Sequence, residues 1–65
     1  SRASISLRGS VTDAGGSSAV VNGSLVQVGS EILGYRIEEI QTHQVILSKE
    51  GKRYSLDDQG NFESP

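Results

Sequence analysis

Apolar and polar residues alternate along much of the chain, with the two-residue period that is typical of half-buried β-strands. The first alternating run covers residues 5–12. Its predicted inner face carries Ile5, Leu7, Gly9 and Val11. Its predicted outer face carries Ser6, Arg8, Ser10 and Thr12. The glycine in this run leaves room for a bulge or a close neighbour, and the glycines and serines of residues 13–18 predict a loop.

The strongest local signal is the pair Asn22-Gly23, which lies between two runs of β-branched residues. A type I′ hairpin turn needs positive φ at both central positions, and Asn and Gly tolerate that conformation best. The turn fixes the register of the hairpin and therefore which residues are buried. It pairs Val21 with Ser24, Val20 with Leu25, and Ala19 with Val26. The predicted inner face carries Ala19, Val21, Val26 and Val28, and the other face carries Ser18, Val20, Leu25 and Gln27.

Three more strands are predicted in the second half of the chain. In residues 35–40, Ile37 and Ile40 can both point inward only if a bulge lies between them; a short helical turn has the same spacing, but the segment is too short to favour it. Residues 44–48 and 53–56 form the last two strands, joined by a hairpin connection in which Gly51 accepts positive φ. The predicted core is Val21, Val26, Val28, Ile37, Val45, Leu47, Tyr54 and Leu56.

Six short strands with no convincing helix predict an all-β fold, either a small six-stranded antiparallel barrel or a sandwich. With 65 residues, the chain is one small domain of marginal stability. We expect residues 5–56 to form the β domain and residues 1–4 to be disordered. Residues 57–65 are predicted to be a polar C-terminal tail in which Phe62 folds back.

Composition narrows the possible partners and sites. Six Lys and Arg residues against eight Asp and Glu residues give a net charge of −2, which argues against a nucleic-acid partner, because such surfaces are basic. The absence of cysteine excludes a disulfide framework and a cysteine metal site. No apolar run is long enough for a membrane span, so any anchor is expected outside this chain. The absence of methionine, even at the start, suggests a segment of a longer protein.

The residues that could carry chemistry are too scattered to predict an active site. His43 is the only histidine and is predicted to be a solvated turn residue, without the partners that a metal site or a triad needs. Glu38 and Glu39 are adjacent on a strand, so they point to opposite faces. Asp57 and Asp58 lack the closing glutamate of an EF-hand loop. We therefore expect no enzymatic activity, no cofactor and no bound metal.

Several motifs together resemble a bacterial secretion family. They are Gly9-x-Val11, Ala19-Val-Val-Asn-Gly23, Val28-Gly29-Ser-Glu-Ile32, Gly34-Tyr-Arg-Ile37, Ile40, Val45-Ile-Leu47, Gly51 and Leu56. The chain is similar to the periplasmic homology region of the type II secretion inner-membrane component, and to the type IV pilus lipoprotein that docks on the secretin. The resemblance covers residues 7–56, and Ser30 stands where the family usually has Asp.

This resemblance implies a periplasmic protein-interaction module of a type II secretion or type IV pilus system. Such a module links the inner-membrane platform to the outer-membrane secretin, and a segment absent from this chain anchors it to the inner membrane. The implied partner is the N-terminal periplasmic domain of the secretin. An alternative is an SH3-like small β-barrel adaptor in a cytoplasmic assembly, with RNA as a candidate ligand.

The register of the predicted hairpin leaves Val20 and Leu25 as an apolar cross-strand pair on its outer face. One interpretation is that the fold closes over this pair as a second part of the core. The other is that the pair is partly exposed and joins the outer face of the first strand, which gives an apolar centre with a polar rim. The predicted partner-binding residues are Arg8, Ser10, Thr12, Val20 and Leu25.

Overall fold

The computed structural model describes residues 5–13 and 15–64, so the predicted disorder of residues 1–4 lies outside the described residues. The strands are β1 (Leu7–Asp13), β2 (Gly16–Val21), β3 (Ser24–Gln27), β4 (Glu31–Ile32), β5 (Tyr35–Ile40), β6 (Gln44–Lys49), β7 (Lys52–Asp57) and β8 (Phe62–Glu63). The first three form a three-stranded sheet, and the other five form a five-stranded sheet in sequence order. Every pair is antiparallel. The predicted all-β class is confirmed.

The number of strands differs from the prediction. The described residues form eight strands rather than six, because the two-residue strands β4 and β8 extend the five-stranded sheet at its two edges. The two sheets do not close into a barrel, so of the two predicted architectures the structure agrees with the sandwich. Leu56 pairs with Phe62, so part of the segment predicted as a tail adds a strand to the sheet.

The core lies between the two sheets. Its members are Ile5, Leu7, Ala19, Val21, Val26, Ile37, Ile40, Val45, Leu47 and Leu56. Six of the eight residues predicted for the core are buried, and Tyr54 is half-buried. The prediction for Val28 is wrong, because its side chain is 58% exposed. The strand β3 ends at Gln27, and the chain turns at Val28 and Gly29, so the alternation that would have buried Val28 stops before it.

The hairpin turn at Asn22-Gly23 is confirmed, with φ of 52° and 79°. The predicted pairing of the three residues on either side is also confirmed. The turn has an additional role, because the backbone N–H of Ser6 donates to Oδ1 of Asn22 at 2.7 Å. In return, the backbone N–H of Asn22 donates to the carbonyl of Ser6 at 2.9 Å. The turn residue therefore holds the segment that precedes β1.

Two β-bulges decide which residues face inward. The register of β5 shifts between Ile37 and Glu39, as predicted, and both Ile37 and Ile40 are buried. The register of β1 shifts between Leu7 and Gly9, so one extra residue lies between them. An extra residue reverses the alternation beyond it. For this reason the prediction that Val11 faces inward is wrong, and its side chain is 59% exposed.

The loop predicted at residues 13–18 is largely strand. The strand β1 continues to Asp13, β2 begins at Gly16, and these two residues pair directly. Gly16 has a φ of 120°, which side chains rarely adopt, so glycine is what allows the chain to reverse here. The polar composition of this segment therefore marks an exposed hairpin rather than a long connection.

Candidate interaction surface

The outward face of the three-stranded sheet carries a group of apolar side chains. Residues that pair directly share a face, and diagonal neighbours lie about 7–8 Å apart. One row across the sheet contains Gly9, Val20 and Leu25, and the next row on that face contains Val11, Ser18 and Gln27. Val20 is thus directly opposite Leu25 and diagonal to Val11. We call these three apolar residues the Leu25 patch.

The Leu25 patch is accessible to a partner. Leu25 is 71% exposed, Val11 is also mostly exposed, and Val20 is half-buried between them. Transferring a leucine side chain from water to an apolar environment is worth about 1.5–3 kcal/mol. Contiguous exposed apolar residues of this kind are characteristic of interaction sites. Leu25 is therefore the side chain in this sheet with most to gain from contact with a partner.

The structure brings together only part of the predicted partner surface. Val20 and Leu25 are a cross-strand pair, as expected. Arg8 lies between the two residues at which the register of β1 shifts, and it is exposed. Its position at the bulge places a cation on the strand that flanks the apolar pair. Arg8 can therefore still lie at the rim of a surface centred on Leu25.

Ser10 and Thr12 are on the other face of the sheet, contrary to the expectation that they face outward. Ser10 pairs with the buried Ala19, and its hydroxyl lies 2.8 Å and 2.6 Å from the carbonyl oxygens of Gln41 and Thr42. Those carbonyls belong to the turn between β5 and β6, so Ser10 connects the two sheets. The physical reason for the difference is the bulge at Arg8, which reverses the alternation of the residues after it.

The residue that the sequence prediction missed on this surface is Val11. Simple alternation from Ile5 placed its side chain on the inner face of the strand, whereas the bulge places it beside Val20. The signal for this change was Gly9, because a glycine inside a strand often marks a bulge. A bulge before Val11 exchanges the predicted positions of Ser10 and Val11, as the structure shows.

Two polar groups outside this surface interact across turns of the five-stranded sheet. Nδ1 of His43 lies 2.9 Å from Oδ2 of Asp58, which connects the turn after β5 to the turn after β7. The carboxylate of Asp57 accepts hydrogen bonds from the side chain and backbone of Asn61 and from the backbone of Gln59, each at 2.9 Å. These bonds, above all that from the Asn61 side chain, hold the pKa of Asp57 below its usual value.

Two further observations concern the residues that the structure describes. Among them, no three His, Cys, Asp or Glu side chains come together in a way that could hold a metal ion. Within the same residues, no helix has the length and apolar character needed to cross a membrane.

Comparison with known proteins gives one informative match. No curated protein and no solved structure matches the chain. A family model does match, under the description CdsD C-terminal, and it covers residues 6–57. The matched residues include seven of the eight strands, from β1 to β7. The match points to a component of a secretion system. Because the family model covers most of its length, the chain belongs to the CdsD C-terminal family.

Proposed function

We propose that this domain is a periplasmic protein-interaction module of a bacterial secretion system, joining the inner-membrane platform to the outer-membrane secretin. In the full-length protein, a segment outside this chain anchors it to the inner membrane. The partner is the N-terminal periplasmic domain of a secretin. This role requires no catalytic residue, cofactor or metal ion. Membership of the CdsD C-terminal family supports the assignment to a secretion system, and the sequence resemblance supports the type II or type IV pilus class.

The observation that carries the proposal is the exposed Leu25 patch. A protein interface typically has a few apolar residues at its centre, surrounded by a polar rim that excludes water. Here Leu25 and Val20 supply the centre, Val11 extends it, and Arg8 supplies a charge on the adjacent strand. The patch is small, so we expect binding to be weak and reversible. A charge at the rim contributes mainly to association and to salt dependence.

The experiment is an NMR titration of the isotope-labelled chain with secretin N-terminal domains. Separate titrations use domains from type II secretion, from type IV pili, and from the secretin encoded nearest to this protein. We expect amide shifts to cluster on Arg8, Val11, Val20 and Leu25. The secretin that produces the tightest binding identifies the class of system. Raising the salt concentration is expected to weaken binding, and the variant Arg8→Gln is expected to reduce that salt effect.

A matched pair of variants distinguishes specific binding at the Leu25 patch from non-specific hydrophobic association. Leu25→Ser is expected to weaken binding about tenfold or more, because it removes the apolar centre. Val28→Ser is the control, since Val28 is similarly exposed but lies outside the patch. Shifts confined to residues 49–53, or equal losses from the two variants, would contradict the surface assignment. Absence of binding at millimolar concentration to every secretin domain would contradict the proposed function.

A further inference from the structure

The hairpin turn between β2 and β3 carries a chemically labile pair, Asn22-Gly23. Asparagine is a thermolabile residue, because the backbone nitrogen of the next residue attacks its side-chain amide carbon and deamidates it. Glycine in the second position hinders this attack least, since it has no side chain. The surroundings add no barrier, because a Cβ built at Gly23 would have no atom within 4 Å. Both residues are exposed, so water reaches the site.

Deamidation replaces the side-chain amide by a carboxylate in two steps. The nitrogen of Gly23 loses its proton to base and bonds to Cγ of Asn22, while the bond from Cγ to Nδ2 breaks and the nitrogen leaves as ammonia. Water then opens the resulting succinimide ring at one of its two carbonyls. Opening at Cγ gives aspartate, and opening at the main-chain carbonyl gives isoaspartate. Either product takes up one water and releases one ammonia.

The folded turn holds Asn22 in the wrong geometry for this attack. The φ values of 52° and 79° are those of a type I′ turn, in which ψ of the first central residue is about 30°. At that ψ, Cβ of Asn22 and the nitrogen of Gly23 lie on nearly opposite sides of the Cα–C bond, whereas a five-membered ring needs them on the same side. Asn22 must therefore rotate out of the turn before it can react.

Ser6 opposes that rotation from outside the hairpin. Its backbone N–H donates to Oδ1 of Asn22 at 2.7 Å, and the N–H of Asn22 donates to its carbonyl at 2.9 Å. We call these two hydrogen bonds the Ser6 latch. Ile5 and Leu7, on either side of Ser6, are both buried in the core. The latch therefore depends on the segment that precedes β1 remaining docked.

From these contacts we infer that Asn22-Gly23 is a deamidation site that the Ser6 latch keeps closed. The site reacts when the segment before β1 leaves the turn, because Asn22 is then free to rotate. Local opening of a folded chain is fast compared with this chemistry, so the rate of deamidation follows the fraction of chains that are open. The inference does not depend on the proposed function.

The isoaspartate product differs from Asn22 in the length of its backbone. The main chain then passes through Cβ and Cγ, which adds one atom to a loop that fits two ordinary residues. Loop length sets the register of a hairpin, and this register places Val20 opposite Leu25. The aspartate product keeps the normal backbone and an oxygen that can accept from Ser6. The isoaspartate form is therefore expected to melt at a lower temperature than the aspartate form.

Mass spectrometry of the 65-residue chain, incubated at mildly alkaline pH and then cleaved into peptides, tests the inference. Chromatography separates the aspartate and isoaspartate peptides, which have the same mass. We expect Asn22 to react in denaturing urea, and to react at least about tenfold more slowly in the folded chain. Asn61 is the internal control, because the bulky Phe62 follows it. It should stay unreacted under both conditions.

Two isoleucine variants test the latch. Ile5→Ala loosens the segment that carries Ser6, whereas Ile40→Ala weakens the same core from the other sheet. Urea denaturation measures the global stability of each variant, so their rates can be compared at equal fractions of unfolded chain. Ile5→Ala is expected to deamidate several times faster than Ile40→Ala.

A third variant alters the latch directly. Ser6→Pro removes the N–H that donates to Asn22 but keeps the carbonyl that accepts from it. Its deamidation is expected to be about threefold or more faster than that of the unaltered chain, since one hydrogen bond is lost. Circular dichroism shows whether the variant is folded, and the isoleucine pair gives the test independently of it.

Three results would overturn the inference. The first is no deamidation of Asn22 in urea, which would mean that the pair is not reactive. The second is an equal rate in the folded and unfolded chain, which would mean that the fold does not close the site. The third is a rate in Ile5→Ala no higher than in Ile40→Ala, with a folded Ser6→Pro reacting like the unaltered chain, which would assign the protection to the turn alone.

Discussion

The two sheets of this domain bury similar faces but present different faces to solvent. Inward, Val26 of the smaller sheet and Leu47 of the larger one belong to the same core. Outward, the smaller sheet exposes Leu25 and Val11, whereas the larger sheet carries a mostly polar surface with Ile46 partly covered. The inward residues are explained by folding alone, because burial of apolar area stabilises the domain. Burial in the core does not explain the outward apolar residues. Comparing the two faces therefore distinguishes residues that stabilise the fold from residues that are available to a partner.

Alanine substitutions at two leucines, one inward and one outward, test this difference between the faces most strongly. We predict that Leu47→Ala reduces the free energy of unfolding by about 2–5 kcal/mol, through lost burial and a residual cavity. Leu25→Ala should change it by no more than about 0.5 kcal/mol, since Leu25 is on the surface. Urea denaturation of both variants measures the two values. Similar losses would mean that Leu25 is covered in solution, and the distinction between the two faces would fail.

A second pair, at the end of the hairpin, tests where the core stops. Val26→Ala is expected to cost about 1–3 kcal/mol, because Val26 is buried between the sheets. Val28→Ala should be nearly neutral, because the chain has already turned out of the sheet at that residue. Shifts of the urea midpoint at constant slope measure both effects. A large cost at Val28 would show that the alternation continues past Gln27 after all.

Much of this core could be predicted from the sequence, because two local signals determine it. The Asn22-Gly23 turn sets the register of its hairpin, and that register assigns Val21 and Val26 to the core. The three-residue spacing of Ile37 and Ile40 required a bulge, which is present. Both inferences depend only on neighbours in sequence. They needed no knowledge of how the two sheets pack together.

The parts that were not predicted depend on contacts between distant segments. The strands β4 and β8 have two residues each, and a pattern of period two cannot be recognised over so short a length. Their pairing follows from β5 and β7 being already in place. Whether six or more strands close into a barrel is likewise decided by long-range packing. No local property of the chain distinguished the observed sandwich from a barrel.

The candidate interaction surface was predicted correctly only where the strand register was predicted correctly. Val20 and Leu25 follow directly from the turn and are paired as expected. Ser10 and Val11 exchanged faces because the bulge at Arg8 reverses the alternation, and Gly9 was the only sign of it. Because of this single extra residue, the outward face of β1 carries Val11 instead of the predicted Ser10 and Thr12.

A smaller effect on stability tests whether Ser10 lies on the inner face of β1. Ser10→Ala is expected to lower the free energy of unfolding by about 0.5–1.5 kcal/mol, because it removes the hydrogen bond to the turn between β5 and β6. Thr12→Ala, at an exposed position on the same strand, is the control and should be within about 0.5 kcal/mol. Thermal melts measure both. If Ser10→Ala left the stability unchanged but weakened binding to the secretin domain, Ser10 would belong to the partner surface as first predicted.

The smallest effect concerns the turn that attaches β8 to the larger sheet, and it depends on pH. Hydrogen bonds from Asn61 and Gln59 stabilise the Asp57 carboxylate in the folded chain, so its pKa is lower there than in the unfolded chain. At acidic pH the unfolded chain therefore binds more protons at this residue than the folded chain does. The stabilisation from Asp57 is complete above the pKa of the unfolded state, and it is lost as the pH falls through the pKa of the folded state.

We predict that the stability advantage of the unaltered chain over Asp57→Asn is constant near neutral pH and narrows below about pH 4. Melting temperatures measured across this range test the prediction. A difference that stayed constant to pH 2 or so would mean that the Asn61 and Gln59 bonds do not favour the charged form of Asp57.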